Sequence, residues 1–316
     1  MSSTPNFSLT KLSPFFGAQI SDISMHEPLS TDVIQQLEDA LAEHQVLVFP
    51  NQTLSSEDIL RVGRYFGQLT VHPFAENSEQ HPELIVFDYK DGNPPVLTDR
   101  WHSDESYKAA PPKATMLYAR VVPEIGGDTC FSSMTTAYDF LSTKMQTYVQ
   151  GLSAIHDFSP YKFLFPNTPS GQAMLRQKEA EYPPIAHPIV TVHPMTGKRA
   201  LFINQSYTRA IQGMSQRDSD ALLAQLFQVT SVLEYQYRHR WQPNMLVLWD
   251  NRSVQHAAVH DYYPNHRHME RVTIAGCQPI AAFEPIDSSE LQTFKVPPYD
   301  HDDSRRARRQ FELDVQ

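Results

Sequence analysis

Trp101-His102-Ser103-Asp104 sets a histidine and an aspartate two residues apart on a segment that reads as extended. In a strand, side chains at i and i+2 share a face, so His102 and Asp104 can grip one ion together. A third ligand has to come from elsewhere. Trp249-Asp250-Asn251-Arg252-Ser253-Val254-Gln255-His256 offers it, because His256 follows a short apolar strand and a turn. In a chain with 14 histidines and 36 acidic residues a bare His-x-Asp pair decides little, so its surroundings have to decide.

Outward from that stretch, short strands and helices alternate. Upstream, residues 7–23 mix β-formers with Gly17 and turn residues, the pattern of one or two strands opening a sheet. Ser30 or Thr31 can cap a helix whose apolar positions Val33, Ile34, Leu37, Ala40 and Leu41 recur at helical spacing. Residues 45–49 read as a buried strand, and Ser55 with Asp58 caps a second helix that Gly67 stops. Residues 69–100 are irregular around one strand at 84–87 and lead straight to His102, so a loop over the active site is expected. Downstream, 116–121 is a strand, Glu124-Ile125-Gly126-Gly127-Asp128-Thr129 a turn that delivers Thr129 to the next strand, and 137–152 a helix. The proline-rich stretch 159–187 reads equally as a lid and as an exposed insertion. Residues 189–193 and 200–204 pair across Met195-Thr196-Gly197-Lys198, and 215–237 is expected to be the longest amphipathic helix. The last strands are 245–249, the segment around His256, and 271–275. Arg305-Arg306-Ala307-Arg308-Arg309 reads as a solvated helix end. No repeat or low-complexity linker divides residues 1–316. One mainly β domain is expected, a sandwich with helices packed on one side.

Composition narrows the partners. With 41% hydrophobic residues over 316 positions the chain can bury a sizeable core. A net charge of −10 opposes binding to nucleic acid or to an anionic membrane, so any anion must meet a local basic cluster. Cys130 and Cys277 lie far apart and outside any Cys-x-x-Cys pair, and Met1-Ser2-Ser3-Thr4-Pro5 lacks a signal pattern. A reducing cytoplasm is expected. No apolar run approaches the ~18 residues of a membrane helix.

A metal on His102, Asp104 and His256 would keep three positions open, room for a bidentate oxoacid and dioxygen. Such an acid needs its far carboxylate fixed. Arg267, brought back by the turn Tyr262-Tyr263-Pro264-Asn265, can hold it bidentately, and Thr129 can add a hydroxyl hydrogen bond. Arg271, on the same face as Arg267 if the segment is extended, offers a second anion site. Trp101-His102-Ser103-Asp104, Gly126-Gly127-Asp128-Thr129, Trp249-Asp250-Asn251-Arg252 with Gln255-His256, and Arg267 with Arg271 together resemble the taurine dioxygenase and 2,4-dichlorophenoxyacetate dioxygenase (TauD/TfdA) family. The resemblance runs over about residues 17–276, in the same order and nearly the same spacing.

The resemblance implies a mainly β fold with flanking helices, built on a double-stranded β-helix (jelly roll, cupin-like) core. It implies dependence on iron(II), 2-oxoglutarate and dioxygen. His102, Asp104 and His256 would then ligate iron, and Thr129 with Arg267 would hold the far carboxylate of 2-oxoglutarate. Arg271 falls where members acting on sulfonates or sulfate esters carry the arginine for the anionic head. His72 matches a sulfonate-binding histidine, and Tyr207 an aromatic wall of the substrate pocket. Ala75 and Thr98 replace a tyrosine and an asparagine that contact taurine. Thr98 thus enters the substrate-binding set, and the smaller residues favour a longer or aromatic anion. The implied reaction releases succinate and carbon dioxide while hydroxylating a small anionic substrate: an alkyl- or aryl-sulfonate, a sulfate ester or an aryloxyalkanoate. The product can collapse to an aldehyde plus sulfite or sulfate. Biosynthetic hydroxylation of an amino-acid-derived acid is an alternative. Zinc hydrolysis on the same ligands leaves Thr129 and Arg267 without a role. A non-catalytic metal-binding jelly roll would leave intact residues unused. A homo-oligomer, dimer or tetramer, is the family expectation. Glu105, by strand alternation, should face outward. His156, His187, His193, His260, His266 and His268 lack partners at metal spacing and should be surface or hydrogen-bonded histidines.

Overall fold

The computed structural model describes residues 7–75, 77–90 and 98–284. In chain order these form β1 (Ser8–Lys11), β2 (Ala18–Ser21), α1 (Thr31–His44), β3 (Val46–Phe49), α2 (Ser56–Tyr65), β4 (Leu69–Thr70), β5 (Ile85–Tyr89), β6 (Ala114–Val121) and β7 (Thr129–Ser133). There follow α3 (Met134–Asp139), α4 (Thr143–Tyr148), β8 (Ser153–His156), α5 (Pro169–Glu181), β9 (Ile185–Pro188), β10 (Val190–Val192), β11 (Arg199–Leu201) and β12 (Thr208–Ile211). The chain continues through α6 (Gln216–Phe227), β13 (Gln236–His239), β14 (Leu246–Asp250), β15 (Val254–Ala258) and β16 (Arg267–Ile274).

Alternation along the central strands sets the layers. In β14, Val247 and Trp249 point into a cluster with Phe131 of β7 and Val254 of β15, while Leu246 and Leu248 point the other way, toward Leu37, Leu41, Ile59 and Leu60 of α1 and α2. The register Val247↔Val48 and Trp249↔Val46 keeps neighbouring strands in step. Strands covered on both faces must be apolar on both, which is why these runs lack a polar side. The large sheet runs β1-β2-β3-β14-β6-β16-β4 with β5 also on β16, the small sheet that faces it runs β13-β7-β15, and β12-β8-β9 and β10-β11 form two further sheets. Two sheets over one core, with helices on the outer face of the larger, make the expected mainly β jelly roll.

The capping signals worked as physics requires. Ser30 Oγ accepts from Val33 N, and Ser55 with Asp58 forms a reciprocal capping box. Three expected elements differ. The helix at 137–152 is two helices, α3 and α4, because Ser133 and Ser142 each cap a new start. The helix at 215–237 ends at Phe227. Two 3₁₀ turns follow, through the β-branched Val229, Thr230 and Val232, and the chain then enters β13 against β7, so the 14-residue α1 is longer than α6. The stretch 159–187 is no plain loop: it holds a 3₁₀ turn, α5 begun by Thr168 and Pro169, and most of β9. Within 69–100, β4 and β5 both pair with β16. The arginine run at 305–309 lies outside the described residues.

Candidate active site

The small sheet delivers His256, and backbone pairing brings His102 to it. His102 N donates to His256 O at 3.0 Å and His256 N to His102 O at 2.8 Å. This single bridge is all the strand that 101–104 forms; Asp104 already lies in a turn. The ligand atoms still converge, with Asp104 Oδ1 3.7 Å from His102 Nε2 and 3.8 Å from His256 Nε2. All three residues are buried. Thr115 Oγ1 donates to Asp104 Oδ2 at 2.6 Å, which leaves Oδ1 to face the imidazoles. Asn251 Nδ2 donates to that threonine hydroxyl at 2.9 Å, while Asn251 Oδ1 accepts from Trp249 Nε1 at 3.0 Å and from Asp104 N at 3.4 Å. His102 Nδ1 is 2.7 Å from Arg100 O and so carries the proton, presenting a bare Nε2.

Charge in the site is arranged for a cation. Burial lowers the pKa of His102 and, more strongly, of His256, so both imidazoles are neutral near pH 7. Burial would raise that of Asp104, but Arg271, His256, His102 and the Thr115 hydroxyl overcome it and hold the carboxyl well below the usual range. Arg271 Nη2 sits 3.0 Å from Asp104 Oδ1, the same oxygen the imidazoles face. Two neutral imidazoles and one carboxylate, with ligand atoms all within 4.8 Å, fit a divalent transition metal ion.

Beside the triad lies a pocket lined by Thr98, Thr129, Trp249, His256, Arg267 and Arg271, among others. β16 carries both arginines on one face, four residues apart, as expected of an extended segment. Thr129 is fixed by Trp241, whose Nε1 donates to its hydroxyl at 3.0 Å. The turn before it is pinned by Asp261 Oδ1, which accepts from Gly127 N at 2.8 Å. Arg267 is buried, its guanidinium lies 5.6 Å from the Tyr262 ring, and its Nε has no hydrogen-bond partner among the described residues. No carboxylate among the described residues pairs with it. Thr98 sits on this pocket with its hydroxyl 3.0 Å from His260 Nε2.

On the other side of the triad an aromatic cluster gathers. The Tyr207 ring is 6.4 Å from that of His102 and its hydroxyl 2.9 Å from that of Tyr161, whose ring is 5.7 Å from His72. Phe74 stacks on Tyr161 at 4.7 Å and on Phe158 at 5.3 Å. Spacing gave no sign of Phe74, Phe158 or Tyr161, because their proximity arises only when 72–74 and 158–161 fold together. Glu105 corrects the outward reading. It adopts φ +46° at the turn, is 1% exposed, and pairs with Lys108. Strand alternation cannot carry to Glu105 because the pairing ends at His102 and Asp104 already lies in a turn. Among the remaining histidines, His156, His187, His193, His260 and His266 are hydrogen-bonded as expected, and His268 lies 3.8 Å from the Asp88 oxygen that His266 contacts.

The model of the taurine catabolism dioxygenase TauD, TfdA family matches residues 8–273. The chain belongs to the TauD/TfdA family. It is a 2-oxoglutarate-dependent dioxygenase, whose cofactor and cosubstrates are iron(II), 2-oxoglutarate and dioxygen. Similar proteins include an alkylsulfatase of Acinetobacter baylyi, 32% identical over 278 residues that cover 86% of each chain. A 2,4-dichlorophenoxyacetate dioxygenase of Cupriavidus pinatubonensis is 32% identical, covering 83% of this chain and 95% of its own. A taurine dioxygenase of Burkholderia xenovorans superposes with a TM-score of 0.75 at 28% identity, covering 88% of this dioxygenase and 92% of its own chain. Membership in this family sets aside the zinc hydrolase and the non-catalytic readings. No helix among the described residues is long and apolar enough to cross a membrane.

Proposed function

We propose that His102, Asp104 and His256 ligate iron(II), that Thr129 and Arg267 bind the far carboxylate of 2-oxoglutarate, and that Arg271 with His72 receives the anionic head of the substrate. That substrate is an alkyl- or aryl-sulfonate, a sulfate ester or an aryloxyalkanoate. The observation that carries this reading is the pair of buried arginines on β16. One has Asp104 beside it, whereas the other has no acidic partner among the described residues. A buried guanidinium without a carboxylate is costly, so an anion from outside is the natural counter-charge. The relatives' named substrates, alkyl sulfates and an aryloxyacetate, share such a head.

When bound, iron(II) would activate dioxygen, the oxidant: one oxygen atom would go to succinate as 2-oxoglutarate gives up two electrons and carbon dioxide, and the other would hydroxylate a substrate C–H bond. The protein's part is position and dryness. Thr115 and Asn251 aim the carboxylate, and Arg100 O fixes the His102 tautomer. His72 Nδ1 accepts from Phe74 N at 3.2 Å, so the proton of the neutral ring sits on Nε2, free to donate to a sulfonate or sulfate oxygen. Burial and Arg271 lower the pKa of His72 to about 3, which keeps it neutral. Phe74, Tyr161 and Tyr207 wall the reacting carbon from water and suit a long-chain or aromatic body. They come from 69–100, 159–187 and the turn before β12, which supports those two stretches as covers of the site. A single domain over 1–316, a cytoplasmic location and a homo-oligomer belong to the same reading.

The test supplies iron(II) and 2-oxoglutarate anaerobically, admits oxygen, and screens anionic compounds for succinate release. Sulfonates, sulfate esters or aryloxyacetates should stimulate it. Arg267→Ala should raise the 2-oxoglutarate requirement roughly thirty-fold to several-thousand-fold, since a desolvated charge-assisted contact is worth on the order of 2–5 kcal/mol. Arg271→Ala should spare 2-oxoglutarate and weaken the anionic substrate. The converse pattern, or an anion screen without stimulation, overturns the assignment.

A further inference from the structure

On the face of β16 turned away from the pocket, His268 converges with Asp88 of β5 and with His266, the residue just before β16. The strand register sets His268 opposite Asp88 and Arg267 opposite Tyr89. Successive residues of β16 face opposite ways, so His268 projects away from the pocket that Arg267 and Tyr89 line, and His266, just before the strand, meets the same Asp88. His266 Nε2 lies 2.6 Å from Asp88 Oδ1, and His268 Nδ1 lies 3.8 Å from the same oxygen. The three ligand atoms lie within 4.8 Å of one another, the same bound that the His102, Asp104, His256 group meets. Ligands at about 2.0–2.1 Å from a tetrahedral ion stand about 3.3 Å apart. The two measured separations bracket that value, so modest side-chain rotation is enough to admit an ion.

We propose that Asp88, His266 and His268 form a second metal site, for zinc or a similar divalent transition ion. Two imidazoles and one carboxylate favour such ions over magnesium or calcium, which prefer all-oxygen shells. Lys90 Nζ holds the other carboxylate oxygen, Oδ2, at 2.9 Å, which leaves Oδ1 toward the histidines. Glu270, 3.8 Å from His268 Nε2, is already paired with Arg120 and stays outside the set. The side chains of His266 and His268 are 37% and 26% exposed, so a water can complete the shell. An ion there would join β5 to β16 directly behind Arg267.

The experiment titrates the metal-stripped full chain with zinc chloride and counts bound equivalents by equilibrium dialysis. Wild type should bind two. His266→Ala/His268→Ala should bind one and keep substrate-dependent turnover when supplied with iron(II) and 2-oxoglutarate. His102→Ala/His256→Ala should also bind one, and the four-fold variant none. Asp88→Asn, which preserves shape, should weaken the second equivalent at least tenfold, and it stands in should the double histidine variant fail to fold. A wild-type chain that binds a single equivalent, lost with His102 and His256, overturns the proposal. So does a second equivalent that survives both Asp88→Asn and the loss of His266 and His268. Turnover reports separately on the catalytic reading, so the two can fail independently.

Discussion

Thr115 binds no metal, yet it decides which oxygen of Asp104 is offered to one. Its hydroxyl occupies Oδ2 at 2.6 Å and is itself oriented by Asn251, so the carboxylate cannot rotate freely. Partners of this kind usually alter metal affinity by about 10–100-fold when removed. Thr115→Val keeps the shape and should weaken iron(II) binding by that order, read as a higher iron requirement for turnover and a smaller metal-dependent rise in Tm. The proposed ligands themselves should behave more starkly. His102→Ala, Asp104→Ala and His256→Ala should each abolish substrate-dependent succinate release, because each removes one of the three converging ligand atoms. Near-normal release from any one of them would remove that residue from the ligand set.

At the scale of elements, the turn before β7 and the strand β16 have to be built for each other. Gly127 has φ +71°, and a Cβ there would stand 3.3 Å from Arg267 Cδ and Nε and from Tyr262 Cδ1. Gly127→Ala therefore costs about 1–2 kcal/mol of backbone strain and pushes on Arg267 as well. It should raise the Michaelis constant for 2-oxoglutarate more than that for the primary substrate; equal effects on the two would mean that the turn acts only through stability. The glycine pair, the capping serines and the arginine spacing on β16 were legible because each is a local rule written in adjacent residues. What sequence could not supply is register. Asp88 meets His268 only because β5 pairs with β16, and Phe74 meets Tyr161 only because two irregular stretches fold together. Glu105 shows a third kind of limit: alternation predicts its face only while the strand lasts, and the strand ends at His102.

Across the whole molecule, burial leaves many histidines unprotonated, and this sets how stability responds to acid. Burial lowers the pKa of His156 well below its usual range, that of His239 to about 4 and that of His72 to about 3. Each is depressed on folding, so below about 6.5 the unfolded chain binds protons that the folded chain refuses. Stability then rises with pH through this window and falls as pH drops from 6.5 toward 4. Carboxylates take over at lower pH. Burial would raise Asp250, but Arg252 and His193 bring it to about 2, so its contribution, present above 3.8, is lost as pH falls toward 2. The metal-free chain should therefore show a Tm that declines steadily from pH 7.5 to 5. His239→Asn, which cannot charge, should flatten the slope in that range even if it lowers Tm at pH 7.5 by losing the contact to the Tyr237 hydroxyl. Each unit of depression corresponds to about 1.4 kcal/mol, so one group of this kind is enough to be seen in thermal melts. A Tm independent of pH between 7.5 and 5 would mean that these rings gain protons inside the fold at little cost, and that water reaches them despite their burial.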